Sequence, residues 1–291
     1  MPLTGELAQI IWTALDVETT GLTPLVDDLI EVAAVRFQAD RTLDEYSALV
    51  NPGRAIPQEA IAVHGITDAV IRKEGRPARE VLPEFRKILG PPTMALVAHN
   101  AAFDLGFLAT EFARLGIDFP QQPVYDTLEL AHKILPGLAH YDLGTVASAL
   151  GVTADEAHRG LADAHTVMGI LAGLAERGST GSPPRTESRG GGPLTKLAEL
   201  SRRARPLTFA SCAVKTIKAP PGLELLEQAA RVGWEVEIVY EGGTQGGGWR
   251  RVTPLALLER RGAGYLAAFC HRDQREKFYR LDRIRQVREA D

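Results

Sequence analysis

The segment Asp16-Val17-Glu18-Thr19-Thr20-Gly21 constrains this chain more than any other stretch of it. It closes an apolar run, Ile10 to Leu15, that is too short for a helix and carries enough β-branched and aromatic character for a buried strand. Strand side chains alternate, so Asp16 and Glu18 leave the same face with Cα atoms roughly 7 Å apart, at about 3.3 Å per residue. An isolated Asp-x-Glu of this kind reads as a strand end dipping into solvent. Residues further along the chain reverse that reading.

With 291 residues, the chain exceeds what one compact domain usually needs. The strand of Asp16 is followed by an apolar run from Asp28 to Phe37 and a second from Ser47 to Val50, an order that fits a meander. Asn51-Pro52-Gly53 breaks the pattern, and Ile56 to Thr67, which contains Val63-His64-Gly65-Ile66-Thr67, has loop character. Glu80 to Leu89 repeats apolar residues at helical spacing and stops at Pro91-Pro92. Met94 to Ala98 is the next buried strand. It leads into His99-Asn100-Ala101-Ala102-Phe103-Asp104 and a helix marked by Leu105, Leu108, Phe112 and Leu115. Three more helices are expected, starting at Asp126-Thr127, over Asp142 to Leu150, and along Leu161 to Ala175. This order predicts an α/β domain, a mixed sheet flanked by helices, over residues 1–177.

Residues 178–194 turn to Gly, Ser, Pro, Thr and Arg without apolar periodicity, the composition of a flexible linker. A smaller domain is expected over 195–291. It has a helix at Leu223 to Ala230, strands at Trp234 to Tyr240, Arg250 to Pro254, Tyr265 to Cys270 and Lys277 to Leu281, and a hairpin loop at Gly242 to Gly248. The two halves carry opposite charge. Residues 1–178 hold 13 Lys/Arg against 24 Asp/Glu, while residues 195–291 hold 18 against 12. An acidic half suits divalent cations and a basic half suits polyanions such as nucleic acid. There is no signal-peptide pattern or membrane-length apolar run, and the two cysteines, Cys212 and Cys270, lack zinc spacing, so a cytoplasmic protein with free thiols and no membrane partner is expected.

Asp104 stands just past a strand at the start of a helix, and Asp163 lies in the first turns of the last helix of the acidic half. His158 precedes Asp163 by five positions. At about 100° per residue these two side chains would diverge on one helix, so His158 can reach Asp163 only from the loop before it. A loop histidine beside carboxylates suits a general base. If the four acids converge, each pair of charges about 4 Å apart repels by roughly 4 kcal/mol at an effective dielectric of 20. Divalent cations resolve that repulsion, and oxygen-only ligands favour Mg²⁺ or Mn²⁺, two of which would stabilise the attacking and leaving oxygens of a phosphodiester.

Asp16-Val17-Glu18-Thr19-Thr20-Gly21, His99 to Asp104 and His158-Arg159-Gly160-Leu161-Ala162-Asp163-Ala164 resemble, in order and spacing, the three exonuclease motifs of the DnaQ-like (DEDDh) 3′-5′ exonucleases. That family includes the proofreading epsilon subunit of bacterial replicative polymerase. Val63 to Thr67 and Tyr125-Asp126-Thr127 also resemble family segments, and the likeness covers about residues 8–176. It implies a ribonuclease H-like fold, with Asp16, Glu18, Asp104 and Asp163 as ligands of two Mg²⁺ or Mn²⁺ ions and His158 as the base. Glu18 and the backbone at Thr19 and Thr20 would receive the terminal 3′ hydroxyl, and Leu22 would pack on the last base. Asn100 and Phe103 would shape the site. His64 is either a substrate contact or a loop residue, and His99 is read as structural.

The basic half packs ten Lys/Arg into the 36 residues from Arg250 to Arg285, interleaved with Trp249, Tyr265, Phe269, Phe278 and Tyr279. The aromatics either stack bases beside phosphate-binding arginines or fill the core of a small barrel with a solvated rim. Val236 to Tyr240, Arg251 to Leu255, Tyr265 to Ala268 and Tyr279 to Ile284 resemble a WYL domain, over about residues 205–289. The resemblance implies a small Sm-like or SH3-like β-barrel that senses a ligand or binds nucleic acid, with Arg251, Tyr265, Arg280 and Arg283 as candidate binding residues. Gly264 stands where the eponymous tryptophan would be, and Lys277 where an arginine is common. The expected protein is a metal-dependent 3′-5′ exonuclease acting in DNA repair or proofreading, with DNA ahead of RNA as substrate and a polymerase or repair complex as a further partner. A regulatory nucleic-acid-binding or ligand-sensing protein is the rival from another class.

Overall fold

A computed structural model describes residues 2–154, 159–178, 194–241, 248–260 and 262–290. These form two compact units, one drawn from Met1–Gly21 and Asp28–Ala210 and the other from Leu22–Asp27 and Ser211–Asp291.

In the first unit, β1 (Ile11–Thr19), β2 (Leu29–Gln38) and β3 (Arg41–Leu49) form the meander. A two-residue turn joins β2 to β3, with Ala39 at φ 56°. The β3 strand begins earlier than its apolar residues predict, because it is the sheet edge and most of its side chains face solvent. The chain then runs through α1 (Gln58–His64), α2 (Asp68–Glu74) and α3 (Ala78–Ile88) into β4 (Ala95–Ala98), α4 (Ala101–Leu115), β5 (Val124–Asp126), α5 (Thr127–Ile134), α6 (Leu143–Leu150) and α7 (Gly160–Arg177). The strand order is β3-β2-β1-β4-β5, antiparallel on one side of β1 and parallel on the other, so the sheet is mixed as expected. Residues 58–64 form a short helix rather than a loop. Its Ala60 and Ile61 pack against a cluster of Ile30, Leu49, Ile56, Ile66 and Ile71, and tertiary packing of this kind stabilises a helix too short to form alone.

Both faces of the sheet are covered, which is why β2 is apolar and buried along nearly its whole length. Trp12 and Ala14 of β1 and Val35 and Phe37 of β2 join Val167, Ile170, Leu171 and Leu174 of α7 in one core. The alternate residues Leu15 and Val17 are buried on the other side. By strand alternation Asp16 and Glu18 therefore share the face of Trp12 and Ala14, the face that α7 covers.

The expected domain boundary at residue 195 does not coincide with the division between the units. Leu194, Leu200 and Ala204 belong to the same core as Leu3, Leu7 and Trp12. Two helices, α8 (Leu197–Arg203) and α9 (Phe209–Cys212), follow the described end of α7. The Tyr125 hydroxyl lies 2.8 Å from Ser201 Oγ, Val124 and Leu207 exchange backbone hydrogen bonds, and the Phe209 ring stacks on Phe112 at 5.7 Å. Leu194, Leu200, Ala204 and Phe209 are single apolar residues spread over 16 positions, too sparse to register as a periodic pattern.

The second unit is built on an antiparallel sheet of β6 (Lys215–Thr216), β7 (Val236–Tyr240), β8 (Trp249–Arg260), β9 (Ala263–Cys270), β10 (Arg275–Arg280) and β11 (Ile284–Glu289), ordered β10-β9-β8-β7-β11 with β6 beside β8. Helix α10 (Glu224–Val232) places Leu226 and Ala229 against Val236, Ile238, Val252 and Leu266. β8 extends well beyond the expected Arg250–Pro254, and β11 has no counterpart among the expected strands because only Ile284 of its six residues is fully buried. Of the expected hairpin loop at 242–248, residues 242–247 lie outside the described residues. No helix among the described residues is long and apolar enough to cross a membrane.

Candidate active site

One carboxylate oxygen from each of Asp16, Glu18 and Asp163 lies within 4.8 Å of the others. Two come from the last turns of β1's pleat and the third from the first turn of α7, where Asp163 N–H donates to the Arg159 carbonyl at 3.0 Å. Asp163 is buried, while Asp16 and Glu18 are half-buried. Burial, then the charges of Asp163 and Glu31, push the Glu18 carboxyl up to about 8, with Arg159 pulling the other way. Asp16 is raised well above the carboxylate range by burial and by Asp104, Glu18, Asp163 and Glu31.

Asp104 comes to the same place from α4. Its Oδ1 accepts the Val17 N–H at 3.1 Å, between the two β1 acids, and burial raises its pKa against that hydrogen bond. The turn before α4 is held by Asn100 in the left-handed region, at φ 60° and ψ 43°, with its N–H donated to Asp126 Oδ1 at 3.0 Å. Asp126 also accepts Leu128 N–H at 2.9 Å as the N-cap of α5. The ring of His99 is engaged at both nitrogens, 2.8 Å from the Tyr141 carbonyl and 2.9 Å from Thr127 Oγ1, which is the structural role expected of it. Phe103 is half-buried, with its ring 5.0 Å from that of Phe107.

Thr19 and Thr20 are buried at the end of β1. Thr19 Oγ1 donates to the Gly21 carbonyl at 2.6 Å, and Thr20 Oγ1 accepts from Asp28 N–H and from Arg54 Nη2, both at 2.9 Å. Leu22 is 65% exposed, a high value for a large apolar residue. His64 is buried at the end of α1, where its Nδ1 accepts Ile66 N–H at 3.0 Å. His158 lies outside the described residues.

The residues overlooked in the sequence are Arg54, which also pairs with Asp28 at 2.6 Å, and above all Glu31. Glu31 is the Cα partner of Glu18 across β1 and β2, and it is 1% exposed. Its signal was available: one acid inside the apolar strand Leu29-Ile30-Glu31-Val32-Ala33-Ala34-Val35. A buried carboxylate at such a position requires partners.

The trio of carboxylates offers only hard oxygen donors, and Asp16 and Glu18 are raised first by burial and then by the neighbouring acids. That donor set fits a hard divalent cation of the Mg²⁺ or Mn²⁺ type.

In the second unit, Tyr265 of β9 and Arg280 of β10 are direct Cα partners, and Arg283 follows in the turn after β10. Arg280 forms a two-pronged pair with Asp282 at 3.0 and 2.6 Å. Arg251 faces another strand, opposite Glu237 of β7. Tyr265 pairs with Leu258, seven positions along β8 from Arg251, or roughly 20 Å of strand. Arg251 lies instead 3.7 Å from Glu235. A Cβ at Gly264 would meet side-chain atoms of Ile217 and Leu281 at 3.1 Å, so a tryptophan at this position would displace both.

Residues 13–171, more than half the chain, match the family model described as Exonuclease (RNase_T). The chain belongs to the exonuclease family. Residues 221–289 match the WYL domain, so a DnaQ-like exonuclease domain is fused to a WYL domain. The exonuclease domain is 37% identical over 172 residues to DNA polymerase III PolC-type of Oceanobacillus iheyensis, covering 59% of this chain and 12% of that protein. It is 34% identical over 165 residues to the Bacillus cereus protein of the same name, covering 57% and 11%. The chain thus spans about a tenth of the length of these relatives. Among solved structures, the zinc-bound complex of E. coli exonuclease I with single-stranded DNA aligns with a TM-score of 0.55 at 18% identity, over 90% of this chain and 55% of that one. Product-bound exonuclease I gives 0.51 at 16%, over 94% and 63%. These likenesses establish the ribonuclease H-like fold of the exonuclease domain.

Proposed function

We propose that this protein is a metal-dependent 3′-5′ exonuclease that shortens DNA from single-stranded or frayed 3′ ends and releases nucleoside 5′-monophosphates. The observation that carries this reading is the meeting of Asp16, Glu18 and Asp163 within 4.8 Å, with Asp104 fastened to the strand between the first two. Oxygen ligands of this kind would hold two Mg²⁺ or Mn²⁺ ions, with all four acids as ligands. When bound, such ions supply charge neutralisation of the phosphodiester and acidification of the attacking water.

The chain's own residues do the rest. His158 takes the proton of the water as its oxygen bonds to phosphorus, and the bond from phosphorus to the 3′ oxygen of the penultimate nucleotide breaks, that oxygen taking a proton from solvent as the new 3′ hydroxyl. Glu18 and the backbone of Thr19 and Thr20 receive the terminal 3′ hydroxyl, and exposed Leu22 packs on the last base. Asn100 and Phe103 shape the site, and buried His64 holds the turn after α1 through Ile66 N–H. DNA is the favoured polymer because the relatives that align with this domain are DNA polymerases.

The WYL domain, whose sheet we read as a small Sm- or SH3-like barrel, holds nucleic acid through Arg251, Tyr265, Arg280 and Arg283. Repair or proofreading in the cytoplasm, alongside a polymerase or repair complex, is the setting this combination suits. Digestion of matched 5′-labelled single-stranded DNA and RNA with Mg²⁺ or Mn²⁺ tests the reading. Stepwise shortening of DNA, abolished by Asp16→Ala, is expected. Preferential digestion of RNA would move the substrate, and binding without digestion of either polymer would sink the enzyme.

A further inference from the structure

Glu31 lies outside the motifs, yet it connects three elements of the exonuclease domain. Its Oε1 accepts Ser47 Oγ at 2.9 Å from β3. Its Oε2 accepts Gly160 N–H at 3.2 Å, at the first residue of α7, and stands 3.5 Å from Arg159 Nε. Arg159 is the N-cap of α7 but makes no side-chain cap, so Glu31 supplies that function from another strand. The approach is close. A Cβ at Gly160 would fall 2.9 Å from Ala33 Cβ and 3.4 Å from Glu31 Cδ. Three positions further along the same first turn is Asp163.

We infer that Glu31 is a positioning residue: it fastens the first turn of α7 to β2 and so sets Asp163 against Asp16 and Glu18, without binding the metal itself. Both its oxygens are already taken by donors on the protein, and it stands outside the trio whose oxygens lie within 4.8 Å. Like charges directly opposite on neighbouring strands repel, so Glu31 beside Glu18 would be a poor choice for the sheet alone. Its hydrogen bonds to the end of α7 give it a purpose there.

This inference rests on the metal reading above, and the experiment separates the two. Mn²⁺ binding to the full chain is measured by electron paramagnetic resonance, with thermal melting and with kcat and KM on 5′-labelled single-stranded DNA, for wild type, Glu31→Ala, Glu31→Gln and Glu31→Asp. Glu31→Ala is expected to weaken Mn²⁺ binding and lower kcat by about 10- to 100-fold, with KM for DNA little changed. Glu31→Gln keeps an acceptor for Gly160 N–H and a donor for Ser47 Oγ, and recovers most of both. Glu31→Asp keeps the charge but is a methylene too short, so it behaves like the alanine variant and carries the test should that variant not fold. Wild-type Mn²⁺ affinity in Glu31→Ala or Glu31→Asp, with only melting lowered, overturns the inference. A loss in Glu31→Gln as large as in Glu31→Ala also overturns it, by making Glu31 a ligand. A wild type that neither binds Mn²⁺ nor digests DNA fails earlier, at the metal reading, and takes this inference with it.

Discussion

The N–H of Val17 donates to Oδ1 of Asp104 at 3.1 Å, tying β1 to α4 across 87 positions of sequence. Val17 points its side chain away from Asp16 and Glu18, but its backbone lies between them, so the third acid is delivered by a hydrogen bond rather than by the pleat. Asp104→Asn keeps an acceptor for this N–H and removes the charge. It should melt at or above the wild-type temperature and lose about 10²-fold or more in kcat, the several kcal/mol expected of a lost metal ligand. Asp104→Ala strands a buried N–H and should cost a further 1–3 kcal/mol or so in stability. Denaturant titration beside a nuclease assay separates the two effects.

Gly160→Ala tests the close approach of α7 to β2. The added methyl meets Ala33 Cβ at 2.9 Å, and neither backbone can yield cheaply. The expected cost is about 1–3 kcal/mol. Mn²⁺ affinity should fall with it, because the same turn carries Asp163. Gly151→Ala, at a helix end with φ 70° and open space around it, is a control that strains the chain without touching the site.

The acid cluster makes the metal-free protein sensitive to alkali. Glu18 titrates near 8 in the folded chain, against about 4.3 unfolded. Between those values the folded state holds a proton that the unfolded state has lost, so stability falls as pH rises across that window. Without metal, the melting temperature of wild type relative to Glu18→Gln should drop from pH 5 to about pH 8. Mn²⁺ should stabilise wild type most at the alkaline end, where no proton competes for the carboxylates. A flat difference across that range would contradict the burial and charge repulsion assigned to Glu18.

The end of the exonuclease domain lies at residue 210 in folding terms. A truncation after Ala210 should remain folded and keep kcat. One after Arg177 strips Leu194, Leu200, Ala204 and Phe209 from the core and should melt well below it. Leu200→Ala alone should cost about 2–5 kcal/mol. If the WYL domain holds DNA, loss of residues 211–291 will also flatten the salt dependence of binding, by about one unit of slope per phosphate contact removed.

Much of the site was legible because its chemistry is local. Asp16 and Glu18 announce themselves by alternation on a strand, and Asp104 and Asp163 by their places at helix starts. Arg54 and Glu31 were not legible, since their value lies in partners that are remote in sequence: Thr20 for one, Gly160 and Ser47 for the other. The helix at 58–64 was hidden for the same reason, as its stability comes from Ile30 and Leu49 on distant strands. In the second unit the sequence could not say which strand each candidate faces: register sets Arg251 opposite Glu237 and Tyr265 opposite Arg280.

By itself the sequence determined the opening meander and the main helices that follow it, the acid-rich first domain and basic second one, and which carboxylates are candidates for the site. Periodicity, charge and motif spacing are properties of neighbouring residues, so they survive in one dimension. Tertiary structure decided how the acids meet, which residue fastens α7, and where the first domain ends. Those depend on hydrogen bonds and apolar contacts between elements, whose partners are fixed only once the sheet has a register and its two faces are covered.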